Sequence, residues 1–179
     1  MKILILPGID NSGPAHWQSL WEASLPNAER VQQRDWAQPQ REDWVAALSA
    51  AVNASQQEVV LVAHSLGCAL VAWWVALDMP GVHDKQRVKA ALLVAPPDVE
   101  RREFPAASFA PMPLTRLPFA SKIVASENDI WCEMPRAQAW AQAWGGEFHH
   151  LGARGHINGE SGLGAWQQGR HWLNELTES

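Results

Sequence analysis

The chain has no tyrosine and two cysteines in 179 residues, and its 14 lysines and arginines are outnumbered by 19 aspartates and glutamates. Each shortage excludes something. Cys68 and Cys132, with no metal-ligand spacing around either, supply neither a disulfide framework nor a zinc site. Each is expected to be a small buried hydrophobe, and a reducing cytoplasm is the expected home. A net charge of -5 lacks the positive field that nucleic acid or an anionic membrane surface requires, so neither is expected as a partner. No apolar run reaches the roughly 18 residues of a membrane-spanning helix, and repeats and low-complexity tracts are missing. The opening Met1-Lys2-Ile3-Leu4-Ile5-Leu6-Pro7 is too short for a signal-peptide core plus cleavage site and reads as a first strand. With no tyrosine, aromatic packing falls mainly to 11 tryptophans, expected in the core or on a pocket wall.

What is present is a globular composition, 47% hydrophobic and 18% charged, with no linker that would divide residues 1–179 into more than one domain. Short apolar runs bounded by Pro, Gly or polar residues alternate with longer stretches of helical period, the pattern of successive β-α units on a parallel sheet. Strands are expected at 2–6, 30–34, 58–63, 88–95, 121–126 and 147–151. The third and fourth are continuously apolar and suit the centre of a sheet covered on both faces. The second, V-Q-Q-R-D-W, is polar and suits an edge. Helices are expected at 15–24, 41–54, 66–79, 134–144 and 164–176. The stretch 96–118, with prolines at 96, 97, 105, 111, 113 and 118, is too long for a simple connector and is expected to cross the mouth of a site.

Leu61-Val62-Ala63-His64-Ser65-Leu66-Gly67-Cys68-Ala69 runs from a strand through a tight turn into a helix. A nucleophilic serine on such a turn requires small residues two before and two after it, so that strand and helix can approach. Ala63 and Gly67 meet that need, although the first position is usually glycine. The turn also sets the Leu66 amide at a helix N-terminus, where it can donate to a developing oxyanion. Capping the helix is the other use of a serine at Ser65. His64 should point away from the reacting atoms and pack.

A serine hydroxyl needs a base, and the base a carboxylate that fixes its tautomer. On this fold they follow in the order serine, acid, histidine. Asp129 follows the strand S-K-I-V-A-S, and His156 lies in the glycine-bounded loop G-A-R-G-H-I-N-G after E-F-H-H-L. Asp129 is preferred to Glu127 and Asp98 because it lies deeper in its loop; capping a helix is its alternative use. His149 and His150 are strand residues facing opposite sides, and His83 and His171 read as structural or solvated. His149, His150 and His156 lack a carboxylate at metal-binding spacing, so neither metal nor cofactor is expected. Trp131, two residues beyond the acid, is the candidate substrate wall, with packing against a helix as its alternative.

In the first loop, Pro7-Gly8-Ile9-Asp10-Asn11-Ser12-Gly13-Pro14-Ala15-His16-Trp17-Gln18-Ser19-Leu20-Trp21, the Ile9 amide is the candidate second oxyanion donor, since Gly8 lets the chain pass close to substrate. Ser12 also suits a helix cap and Pro14 a first turn, and His16, Trp17 and Trp21 read as packing. This P-G-x-x-x-S-G-P-x-H-W-Q-x-x-W opening, followed by A-H-S-L-G, S-x-x-D and G-H-I-N, resembles the small serine-hydrolase family that includes human retinoblastoma-binding protein nine and the bacterial YdeN-type proteins. The likeness covers nearly the whole chain. It implies a compact α/β-hydrolase core of about six parallel strands in the order 2-1-3-4-5-6, without a large cap domain, and it puts Ser65, Asp129 and His156 on the family's triad positions. The L-x-C-x-E motif of the human relative has no match here, since Leu66-Gly67-Cys68-Ala69-Leu70 lacks the glutamate.

The function expected is hydrolysis of a small ester, thioester or amide, the last including short peptides, through an acyl-enzyme. A non-catalytic protein-binding module on the same fold is the competing reading.

Overall fold

The computed structural model describes residues 1–77 and 85–178. In chain order the main elements are β1 (Lys2–Leu6), α1 (Trp17–Ser24), β2 (Ala28–Arg30), α2 (Arg41–Ala54), β3 (Val59–His64), α3 (Leu66–Ala76), β4 (Val88–Val94), β5 (Ala120–Ala125), α4 (Met134–Trp144), β6 (Glu147–His150) and α5 (Gln167–Glu178). The six strands form one sheet in the order β2-β1-β3-β4-β5-β6. Every neighbouring pair is parallel. The strand order and the α/β class are those expected from the sequence.

Alternation of side chains along a strand sorts the apolar residues into two layers. Leu4, Leu6, Leu61, Ala63, Ala91 and Leu93 pack under α2, α3 and α4, against Trp44, Leu48, Leu70, Trp74 and Trp140. Ile3, Ile5, Val60, Val62, Leu92 and Val94 face the other side, against Trp17 and Trp21 of α1 and Trp172, Leu173 and Leu176 of α5. Eight of the tryptophans are buried: 17, 21, 44, 74, 140, 144, 166 and 172. Both faces of β3 and β4 are covered, which is why these strands are almost unbroken apolar runs.

Several boundaries differ from the expected ones. The second strand was placed at 30–34, but β2 is Ala28–Arg30, in register with Ile3, Leu4 and Ile5. Its partner β1 ends at Leu6, Pro7 has no N–H to offer, and the last rung is Val31 N–H donating to the Ile5 carbonyl at 3.0 Å. Residues beyond it have nothing to pair with. The first helix begins at Trp17 because His16, not Ser12, is its N-cap, with Nδ1 accepting from the Gln18 amide at 3.1 Å. The last helix begins later than position 164 because Gly164 and Trp166 have left-handed φ values of 54° and 42°. The expected end of the third helix, Met79, and His83 lie outside the described residues.

The β4–β5 connection contains one short 3-10 helix, Ala107–Phe109. Its Phe109 is buried and its carbonyl accepts from Trp73 Nε1 at 2.7 Å, which ties the connection down onto α3.

Candidate active site

The carboxyl ends of β1, β3, β5 and β6 open onto one edge of the sheet, where parallel α/β folds gather their ligand groups. Ser65 immediately follows β3. Its φ of 53° and ψ of -125° are a left-handed, strained conformation for a non-glycine residue, of a kind that costs on the order of 1–3 kcal/mol. The Ser65 amide donates to the Val94 carbonyl at 2.9 Å, and helix α3 leaves directly afterwards. Gly67 makes that departure possible, since a Cβ there would stand 2.2 Å from the Leu6 carbonyl oxygen.

The acid and histidine loops are knitted to each other. Ser126 Oγ accepts from the Arg154 amide at 2.8 Å, and Asn128 Oδ1 accepts from the Gly155 amide at 2.7 Å. His156 is thereby set over the serine. Ser65 Oγ donates to His156 Nε2 at 2.7 Å, and His156 Nδ1 donates to Asp129, at 2.8 Å to Oδ2 and 2.9 Å to Oδ1. Asp129 Oδ1 also accepts from the Trp131 amide at 2.9 Å, a local turn bond. Since α4 begins at Met134 after Glu133, Asp129 caps no helix. The other acids considered lie elsewhere: Asp98 faces Arg136 at 3.3 Å and Glu127 faces His150 at 3.6 Å.

The first loop supplies the facing wall. A Cβ on Gly8 would come within 2.8 Å of Ser65 Cβ and 3.3 Å of the Leu66 amide nitrogen, so only glycine passes this close to the serine. The next amide is Ile9. Among the described residues neither the Ile9 nor the Leu66 amide donates to any acceptor. The loop is held from behind by Gln18, whose Nε2 donates to the Leu6 and Val62 carbonyls and whose Oε1 accepts from Ser12 Oγ at 2.7 Å. Arg30 donates to Asn11 Oδ1 and to the Ser12 carbonyl.

A cavity of about 240 Å3 opens on Ser65 and His156. Ile9, Phe104, Pro105 and Trp131 are apolar parts of its lining, and Asp10, Asn11, His16, His64 and Asn158 are polar ones. Trp131 therefore lines the cavity, half-buried. The 96–118 stretch reaches the site through Phe104 and Pro105, and Phe104 packs edge-on to Trp131 at 5.6 Å, so the two make one wall.

Two histidines read from the sequence as packing have more specific places. His64 Nε2 donates to the His156 carbonyl at 2.8 Å, bracing the loop that carries His156 against the turn that carries Ser65. Burial first, then the nearby His156 and His16 rings, holds the His64 pKa well below the ordinary imidazole value. His16 lies edge-on to His64 at 4.7 Å and lines the cavity. The signals for both were adjacency to Ser65 and the G-P-x-H-W-Q run, which name no partner.

Residues 3–175 match the family model described as serine hydrolase. The chain belongs to that family. The hydrolase shares 33% identity with a YdeN-like hydrolase of Pectobacterium atrosepticum, with a TM-score of 0.86 over 99% of this chain and 90% of that one. The ydeN product of B. subtilis (16% identity, TM-score 0.75, 99% of each chain) shares the fold. So does Est1E of Butyrivibrio proteoclasticus, solved with ferulic acid bound (11% identity, TM-score 0.71, 99% of this chain and 89% of that one). No curated protein matches the chain. Among the described residues no group of histidine, cysteine and acidic side chains could hold a metal ion, and no helix is long and apolar enough to cross a membrane.

Proposed function

We propose that the hydrolase cleaves small esters, thioesters or amides through an acyl-enzyme on Ser65, with His156 as general base and acid and Asp129 orienting it. The observation that carries this reading is the continuous hydrogen-bonded chain from Ser65 Oγ through His156 to Asp129, with links of 2.7 and 2.8 Å, at the floor of the cavity. The Asp129 carboxylate holds the proton on Nδ1, which leaves the Nε2 lone pair facing the hydroxyl. As Ser65 Oγ bonds to the substrate carbonyl carbon, its proton passes to Nε2. The carbonyl oxygen becomes an oxyanion, met by the Ile9 and Leu66 amides. Collapse breaks the bond to the leaving group, which takes the proton from Nε2. Water, deprotonated by His156, then releases the acid and restores the serine.

Trp131 and Phe104 would line the acyl side, suiting small or medium groups. The test is turnover of short p-nitrophenyl esters and thioesters by the wild type and by Ser65→Ala, His156→Ala and Asp129→Asn. Each variant is expected to lose roughly 10⁴-fold or more in kcat with its fold intact. Undiminished turnover by Ser65→Ala would remove the acyl-enzyme from the account.

A further inference from the structure

The cavity wall contains a hydrogen-bond donor with nothing to donate to. His16 is 6% exposed, and its Nδ1 accepts from the Gln18 backbone amide at 3.1 Å. That bond leaves Nδ1 without a proton, so the neutral ring carries its proton on Nε2. Nε2 is buried and has no partner among the described residues. Burial, followed by the charge of Arg30 and the His156 ring, pushes the His16 pKa down to about 4, so the ring is neutral at neutral pH. A buried N–H without an acceptor is destabilising, and such groups in native proteins call for an explanation. Here the ring lines the substrate cavity, edge-on to His64.

We propose that His16 is a specificity residue, whose Nε2–H donates to a neutral oxygen acceptor, an ether, hydroxyl or keto oxygen, carried on the acyl chain of the substrate. This deepens the acyl-enzyme reading and rests on it. The neighbouring polar residues point the same way. Asn11 Oδ1 accepts both from the Ser12 amide at 2.8 Å and from Arg30 Nη1 at 2.7 Å, so what Asn11 can still present is N–H, and Asn158 Oδ1 already accepts from the Glu160 amide at 3.0 Å. The acceptor is neutral rather than a carboxylate because the cavity also carries the Asp10 carboxylate and, among the described residues, holds no lysine or arginine on its lining. A purely alkyl acyl chain leaves the His16 donor as unsatisfied as it is in the free protein. An oxygenated chain gains one hydrogen bond where the alkyl chain leaves one unmade, a difference that shows as selectivity rather than as overall rate.

The experiment compares kcat/KM for p-nitrophenyl esters in matched pairs: butanoate with methoxyacetate, pentanoate with 3-methoxypropanoate, and hexanoate with 4-methoxybutanoate. Wild type, His16→Phe and His16→Asn are compared, so that the intrinsic reactivity of each ester cancels between enzymes. His16→Phe keeps a ring without either nitrogen, and His16→Asn keeps an oxygen to cap α1 but cannot place a donor at Nε2. At one of the oxygen positions the oxygenated-to-alkyl ratio is expected to be about tenfold higher in wild type than in both variants. Equal ratios across the three proteins at every position overturn the proposal. If the variants do not fold, imidazole 15N spectra of wild type inhibited with methoxyalkyl or plain alkyl phosphonates decide it. The His16 Nε2–H resonance should move with the first and not the second, and identical spectra overturn the proposal. Equal ratios in all three proteins with Ser65-dependent turnover intact defeat the His16 proposal alone, whereas turnover that survives Ser65→Ala defeats the acyl-enzyme reading beneath it.

Discussion

At His16 and His64 burial removes the water that would solvate an imidazolium, and each ring lies beside other histidines of the site. Both therefore resist a proton in the folded protein that they accept readily once unfolded. The sign follows from linkage. Above about pH 6.5 both states are neutral at these positions and nothing is lost. As pH falls below 6.5 the unfolded chain binds protons that the folded one refuses, so stability falls. For His16 the loss continues until the folded ring protonates near pH 4. Between pH 7 and pH 5 this one ring costs about 2 kcal/mol. Urea denaturation at the two pH values should show that loss in wild type, and a correspondingly smaller one in His16→Phe, whose ring has no proton to gain. Equal losses in the two proteins would mean that His16 takes up its proton without unfolding.

Elements meet at the site through close approaches that tolerate no added atom. Gly67 brings the first turn of α3 against the end of β1, and the atom a Cβ would strike is the Leu6 backbone oxygen at 2.2 Å, which cannot rotate away. Gly67→Ala is expected to destabilise by about 3 kcal/mol, the upper part of the usual overpacking range. Gly13→Ala, in the first loop with nothing within 4 Å of its Cβ, should change stability by less than about 0.5 kcal/mol. Paired denaturation midpoints check both, and equal effects would contradict the packing argument. The elbow and the acid loop were legible because each lies directly after a buried strand, where sequence order fixes spatial order, whereas the histidine loop follows the polar strand Glu147–His150 and was legible from its glycines and its place after the acid in the chain. β2 was misplaced because a polar edge strand has no period of its own. Its extent is set by where β1 and Pro7 stop offering partners. His16 and His64 were read as packing because a donor's worth depends on a partner or a vacancy across the fold, and no local pattern encodes either.

For the molecule as a whole, the six-stranded sheet brings segments from residues 8, 65, 129 and 156 to a single edge and covers both faces with helices. A sheet so covered is rigid enough to hold a strained serine, two amides without acceptors and a histidine–carboxylate pair in register before any substrate arrives. The central claim is that this arrangement activates Ser65 and no other serine. The direct measurement is labelling of the intact protein with a fluorophosphonate, followed by mass spectrometry of the whole chain and of its peptides. The account predicts one adduct per chain, on the peptide containing Ser65, absent from Ser65→Ala and strongly slowed in His156→Ala. An adduct on another serine, or labelling that persists unchanged in Ser65→Ala, would contradict it.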